Sequence, residues 1–194
     1  MRITWWESSI TNHQIAPLLE LSSSSQVSLT VCTLKDLPSQ RRDGWIPSDL
    51  HQLRHKPLTF LRPQEVVSIV RESIGSSHVF GGPFDSLFLT LLIFLLLLAG
   101  QPVYILTEPY CPYRLDCFTD KSNQRLTIQL FFRRLKHRLL WACLGSPIRG
   151  VFAISDLAIN QLLSFGVPNL KIFPFCYFIA SNPVSYTHLR AHET

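Results

Sequence analysis

The sequence predicts an α/β fold: a Rossmann-like parallel sheet with helices on both faces. Two observations lead there. Short β-branched and aromatic runs alternate with helical segments of ten to fifteen residues, and that alternation is the signature of strands joined by helical crossovers. Several of the short runs are largely apolar, PVYILT at 102–107 among them, as befits strands buried on both faces.

The elements follow in order. Arg2–Glu7 (RITWWE) is a first strand, and residues 15–22 a helix with Pro17 in its first turn. Residues 26–33 (QVSLTVCT) form a second strand. Residues 34–56, rich in Pro, Gly, Arg and Asp, read as a long irregular connection, and 57–61 as a weak third strand. Val66, Val67, Val70 and Ile74 line one face of a helix over 63–74 that opens on Pro63. SHVF at 77–80 is a strand that ends on Gly81-Gly82-Pro83. An apolar helix runs from about Phe84 to Gly100, and 102–107 is the next strand. After a loop over 108–123 come a helix at Gln124–Leu144, a strand at 150–155, a helix at 156–165 closed by Gly166, and a last strand starting at Lys171.

Composition narrows the class. The chain has 194 residues, enough for one domain with a sizeable core, and 46% of them are hydrophobic. Its net charge of +5 points to an anionic neighbour: a membrane surface, a nucleic acid or a phosphate ligand. The five cysteines form no CxxC pair and no readable disulfide framework, and no secretory leader opens the chain, so a cytoplasmic setting is expected. The apolar run at 87–99 (LFLTLLIFLLLLA) is shorter than the roughly 20 residues of a membrane span and reads as a core helix, apolar on more than one side.

In parallel sheets ligands collect beyond the carboxyl ends of the strands, which directs attention to four loops: 8–14, 81–85, 108–113 and 155–156. The first (SSITNHQ) lacks the glycines of a dinucleotide fingerprint. Its His13 can act as a general base or bind a sugar hydroxyl; it can equally cap or pack a helix start. Glu108 directly follows a buried strand. It can accept paired hydroxyls, orient a base or bind a cation, or be a loop carboxylate satisfied by backbone or Arg114. The gap between Cys111 and Cys117 fits no zinc spacing, and no metal is expected. Ser155 is a natural helix cap, which accounts for Ser155-Asp156 without catalysis.

The helix Gln124–Leu144 carries an apolar stripe of Ile128, Phe131, Phe132, Leu135, Leu139 and Ala142. Arg133, Arg134, Lys136 and Arg138 crowd elsewhere on it. Two readings stand: a basic amphipathic helix lying on an anionic bilayer, or a core helix with a solvated basic face. No nucleic-acid motif accompanies the charge, so no nucleic-acid partner is expected.

The run 150–179 (GVFAISDLAINQLLSFGVPNLKIFPFCYFI) resembles bacterial family 4-type glycosyltransferases of the GT-B fold. The resemblance rests on the strand at 151–155 ending in serine, on Gly166-Val167-Pro168, and on IFPFCYF at 172–178. Asn12-His13-Gln14 is similar to the family's histidine loop after the first strand, and VYILTEP at 103–109 to its acceptor-side strand and glutamate; the glycine-rich loop that some members carry after the first strand is absent. The resemblance implies the N-terminal, acceptor-side half of a two-domain enzyme, with the active site in the interdomain cleft. Such an enzyme moves a hexosyl group from a nucleotide sugar to a glycan or lipid-linked acceptor in cell-envelope polysaccharide synthesis, with no metal or other cofactor. It also implies that His13 and Glu108 are catalytic-side groups and that Asn12, Gln14 and Tyr110 contact substrate. The expected location is cytoplasmic, peripheral on the inner membrane face.

Residues 184–194 (VSYTHLRAHET) resemble the in-frame translation of a sequencing adapter. The expected organisation is therefore a truncated domain over 1–183, inactive by itself, and a disordered non-native tail over 184–194. On that reading the i, i+4 pair His188 and His192 is no metal site. The competing reading of the same pattern is a non-catalytic Rossmann-like binding module or membrane-associated scaffold.

Overall fold

The computed structural model describes residues 1–10, 12–35, 53–58, 62–82, 84, 86–109 and 124–176. Tyr110, Cys111, Cys117, the histidine pair and the segment 184–194 lie outside the described residues.

Seven strands form one sheet: β1 (Arg2–Glu7), β2 (Ser28–Thr33), β3 (His55–Pro57), β4 (Ser77–Gly81), β5 (Val103–Thr107), β6 (Gly150–Ile154) and β7 (Ile172–Phe175). Every pairing is parallel, in the order β3-β2-β1-β4-β5-β6-β7. Among the described residues, five α-helices accompany them: α1 (Asn12–Ser23), α2 (Pro63–Ser73), α3 (Leu87–Leu98), α4 (Gln124–Leu144) and α5 (Asp156–Ser164). The α/β reading is the observed one.

Strand alternation divides the core in two. Trp6 and Phe80 point to one face, where α3, α4 and α5 pack through Leu89, Ile93, Trp141, Leu144, Ala158 and Leu162. Trp5, Val31 and Val79 point to the other, where α1 packs through Ile15 and Leu18. Adjacent tryptophans thus anchor opposite layers of the same strand.

Boundaries moved where tertiary packing outweighed local signals. α1 begins at Asn12 and not at 15, so Pro17 stands inside the helix and past its first turn. Proline disfavours helix in the residue before it, yet burial of Gln14, Ile15 and Leu18 holds the preceding turn helical. The third strand, expected over 57–61, is His55–Pro57 among the described residues, because His55, Lys56 and Pro57 pair with Val31, Cys32 and Thr33 of β2; residues 59–61 lie outside the described residues. Gly100 (φ 68°) and Gly166 (φ 87°) do end α3 and α5, each in the left-handed conformation that closes a helix.

The helix faces correct one expectation, for α3, and bear on the two alternatives left open for α4. α3 buries Leu89, Leu92, Ile93 and Leu96 but exposes Leu87, Leu91, Leu95 and Leu98. Of the two readings of α4, the core helix would bury its apolar stripe; Phe132, Leu135, Leu139 and Ala142 of that stripe are exposed, and Trp141 and Leu144 are buried. The bulk of Trp141, set edge-on against Phe84, determines which side of α4 faces the sheet. No helix among the described residues is long and apolar enough to cross a membrane.

Candidate functional site

The strand order reverses direction at β1, which has β2 on one side and β4 on the other. In open parallel sheets the ligand crevice lies beyond the carboxyl ends of the strands at such a reversal. Helices α1, α3 and α5 each follow a strand, so each starts at this same edge and turns its free backbone N–H groups toward it.

Glu7 is the last residue of β1 and is buried. Trp5 Nε1, on the same strand face, donates to Glu7 Oε2 at 3.0 Å, which satisfies part of the carboxylate where water is scarce. The Glu7 backbone carbonyl accepts from Leu34 N at 3.0 Å and ties the end of β1 to the end of β2. On the opposite side the carboxylate lies directly over Gly81, the last residue of β4: a Cβ there would stand 1.8 Å from Oε2. The bare backbone of Gly81 is thus what admits a carboxylate beside the end of β4.

The rest of the rim comes from β5 and β6. Glu108 is exposed just beyond β5, and its backbone carbonyl accepts from Thr107 Oγ1 at 3.1 Å. Ser155, just beyond β6, has φ 102° and ψ 158°, a conformation that costs a non-glycine residue on the order of 1–3 kcal/mol. Its hydroxyl accepts from Ala158 N at 3.4 Å and caps α5, as the sequence indicated, but capping needs no positive φ. We expect Ser155→Gly to trade a cap worth a few tenths of a kcal/mol for relief of that strain, and so to raise stability by about 1 kcal/mol. An unchanged or lower urea midpoint would show the backbone there to be unstrained.

Below the rim lies His78, fully buried in the middle of β4. Trp6 Nε1 donates to its Nδ1 at 3.1 Å, which leaves the proton on Nε2, and Nε2 has no hydrogen-bond partner among the described residues. The ring stacks with Trp6 at 6.3 Å. Burial depresses its pKa from 6.5 to about 4, so the imidazole is neutral near pH 7. The buried Cys32 thiol is pushed up to about 12 by desolvation and is no nucleophile. No metal-binding cluster occurs among the described residues.

The residues singled out by sequence fall as follows. Asn12 and His13 stand in the first turn of α1, at the crevice edge, with side chains outside the described set. Gln14 is buried. Glu108 shares the strand-end edge with Glu7, across β4. Glu7 was not singled out. Its signal was a carboxylate closing an aromatic strand with an indole donor two residues before it.

Neither protein-family models nor curated protein sequences match this chain. Solved structures do. The UDP-GlcNAc 2-epimerase of Neisseria meningitidis, determined with UDP-GlcNAc bound, aligns with a TM-score of 0.54 at 17% identity, over 90% of this chain and 45% of its own. The S. aureus MnaA–UDP structure aligns with a TM-score of 0.51 at 14% identity, over 90% and 43%. The fold is Rossmann-like and of the GT-B type. The chain spans less than half the length of these GT-B-type structures. At such identities the likeness carries the fold alone. It does not single out family 4 glycosyltransferases.

Proposed function

We propose that the chain is the acceptor-side half of a nucleotide-sugar-dependent glycosyltransferase. The observation that carries this reading is the Glu7 carboxylate, held over Gly81 where the strand order reverses. A buried acid at a crevice surrounded by helix N-termini suits a site that must orient a neutral, hydroxyl-rich group beside a phosphate. The sequence resemblance supplies the reaction class, and the GT-B-type fold agrees with it.

In this reading Glu108 and His13 face the acceptor hydroxyl, with Asn12, Gln14 and Tyr110 positioning the acceptor. One of the two takes the hydroxyl proton as the acceptor oxygen bonds to the anomeric carbon and the bond from that carbon to the phosphate oxygen breaks, the nucleoside diphosphate leaving with the electron pair. Ser155, at the strained strand end, lines the same cleft. The donor is held mainly by a second Rossmann-like domain beyond these residues. No metal or cofactor is part of the proposal. The acceptor is a glycan or a lipid-linked sugar, and the basic residues Arg133, Arg134, Lys136 and Arg138 of α4 hold the enzyme on the anionic inner face of the membrane.

A second reading is favoured by the similar structures: a sugar-nucleotide epimerase of the same fold. One experiment separates the two. The intact enzyme from the complete reading frame is incubated in D2O with UDP-sugars and a membrane lipid extract. Transfer predicts label in the lipid or polymer fraction and no deuterium on the sugar. Epimerisation at C2 predicts deuterium at C2, since that bond to hydrogen must break, with no acceptor needed. Neither outcome with any nucleotide sugar tried would leave the binding-module reading in place and sink both enzyme assignments. The same assay on this chain alone is expected to show no turnover.

A further inference from the structure

We propose that the exposed leucine stripe of α3 inserts into the interfacial layer of an anionic bilayer. The proposal deepens the membrane reading of α4 and rests on it. It adds a wholly apolar stripe to the mixed basic and apolar surface of α4.

Leu87, Leu91, Leu95 and Leu98 are 76%, 54%, 63% and 85% exposed, and their spacing places them along one side of the helix. The opposite side, from Leu89 to Leu96, is packed in the core. Thr90, the only polar side chain of α3, has its hydroxyl bonded to Ser86 O at 3.0 Å. The exposed side therefore offers no side-chain donor or acceptor to a partner. Such a surface has nothing with which to read a protein's polar pattern, but it suits hydrocarbon.

The neighbouring helix supplies the charge. α3 and α4 cover the same sheet face, joined by Phe84, whose ring lies edge-on to His137 at 5.5 Å and to Trp141 at 5.3 Å. On α4 the exposed residues mix Phe132, Leu135 and Leu139 with Lys136 and Arg138. Neither helix contains an Asp or a Glu, while α4 carries Arg125, Arg133, Arg134, Lys136 and Arg138. A second copy of this chain would bring cations against cations. An anionic lipid surface complements the whole face. Twelve residues reach only about 18 Å along a helix axis, well short of a bilayer core of about 30 Å, so α3 lies in the plane and does not cross.

The test is co-sedimentation of the chain with phosphatidylcholine vesicles, with and without phosphatidylglycerol, at about 0.1 M and about 1 M NaCl. Variants are Leu91→Glu/Leu95→Glu, the milder Leu91→Gln/Leu95→Gln, and the α4 variant Arg133→Gln/Arg134→Gln/Lys136→Gln/Arg138→Gln. All α3 changes fall at exposed positions, and circular dichroism melts check that each variant folds. The expected result is binding to anionic vesicles with a fraction that survives high salt. That fraction should fall about tenfold in both α3 variants and persist in the α4 variant. Binding fully reversed by salt and unchanged in the α3 variants would overturn the insertion proposal while leaving the α4 reading standing. No binding under any condition would overturn both. A dimer that becomes monomeric in the α3 variants would overturn the proposal in favour of a second copy.

Discussion

Replacing Gly81 with alanine is expected to destabilise the chain by about 2 kcal/mol and to expel the Glu7 carboxylate from the crevice. The added methyl would sit 1.8 Å from Glu7 Oε2 and 2.4 Å from Cδ, inside any permissible contact. Gly81 is a strand residue paired with Leu106 of β5, so its backbone is fixed and the glutamate must give way. The side chain can rotate. When it does, the buried Trp5 Nε1 loses its acceptor, and leaving that donor unsatisfied makes up most of the expected figure. The effect should therefore depend on Glu7. In a Glu7→Ala background, Gly81→Ala should cost little, a coupling of about 2 kcal/mol in a double-mutant cycle. In a Glu7→Gln background, where the side chain keeps its size and an acceptor oxygen, it should cost nearly its full amount. The readouts are urea midpoints and the Trp5 indole N–H resonance. An unshifted resonance together with a loss under about 0.5 kcal/mol would place Glu7 elsewhere.

This pair also shows what sequence could and could not disclose. The strand–helix alternation was legible because parallel strands are buried on both faces and announce themselves as apolar runs. Gly100 and Gly166 were legible as stops because a left-handed residue is a local requirement. Glu7 was not, because its burial is made by a glycine far along the chain on a strand that pairs with β1. A carboxylate at a strand end looks solvent-facing until its neighbour is known to lack a side chain. Ser155 was read correctly as a cap, but its φ is invisible to any pattern of residue types. The buried faces of α3 and α4 were not legible for a related reason. Where leucines surround a helix, periodicity cannot say which of them meets the sheet, and here Phe84 and Trp141 decide it. The apolar surplus left outside on both helices is the basis of the membrane proposal.

Acid should weaken this fold as pH falls below about 6.5, and His78 is the expected cause. Its pKa in the folded chain is about 4, against 6.5 for an ordinary histidine, because burial disfavours the imidazolium. The unfolded chain takes up a proton on this ring as pH falls through 6.5, whereas the folded chain cannot until about 4. Protonation therefore favours the unfolded state across that window. The stability associated with neutral His78 is fully present above about pH 6.5 and declines to about pH 4. The total is at most about 3 kcal/mol, since each pKa unit is worth about 1.4 kcal/mol. Glu72 acts in the same direction but later. The Lys56 ammonium, 2.9 Å away, holds its pKa below the usual 4.5, so its contribution is lost only as pH falls below that value. The upper part of the acid limb, from about pH 6.5 down to 5, thus separates the histidine from this carboxylate. His78→Gln is the informative substitution. The amide oxygen can still accept from Trp6 Nε1, but nothing at that position titrates. The variant should be less stable than the parent near pH 7, because the stacking with Trp6 is lost. Its stability should nevertheless stay nearly level between pH 6.5 and 5, where the parent declines. If urea midpoints of the two proteins fell in parallel over that interval, the proton would be binding elsewhere, and the buried neutral imidazole would not be the acid-sensitive element of the sheet.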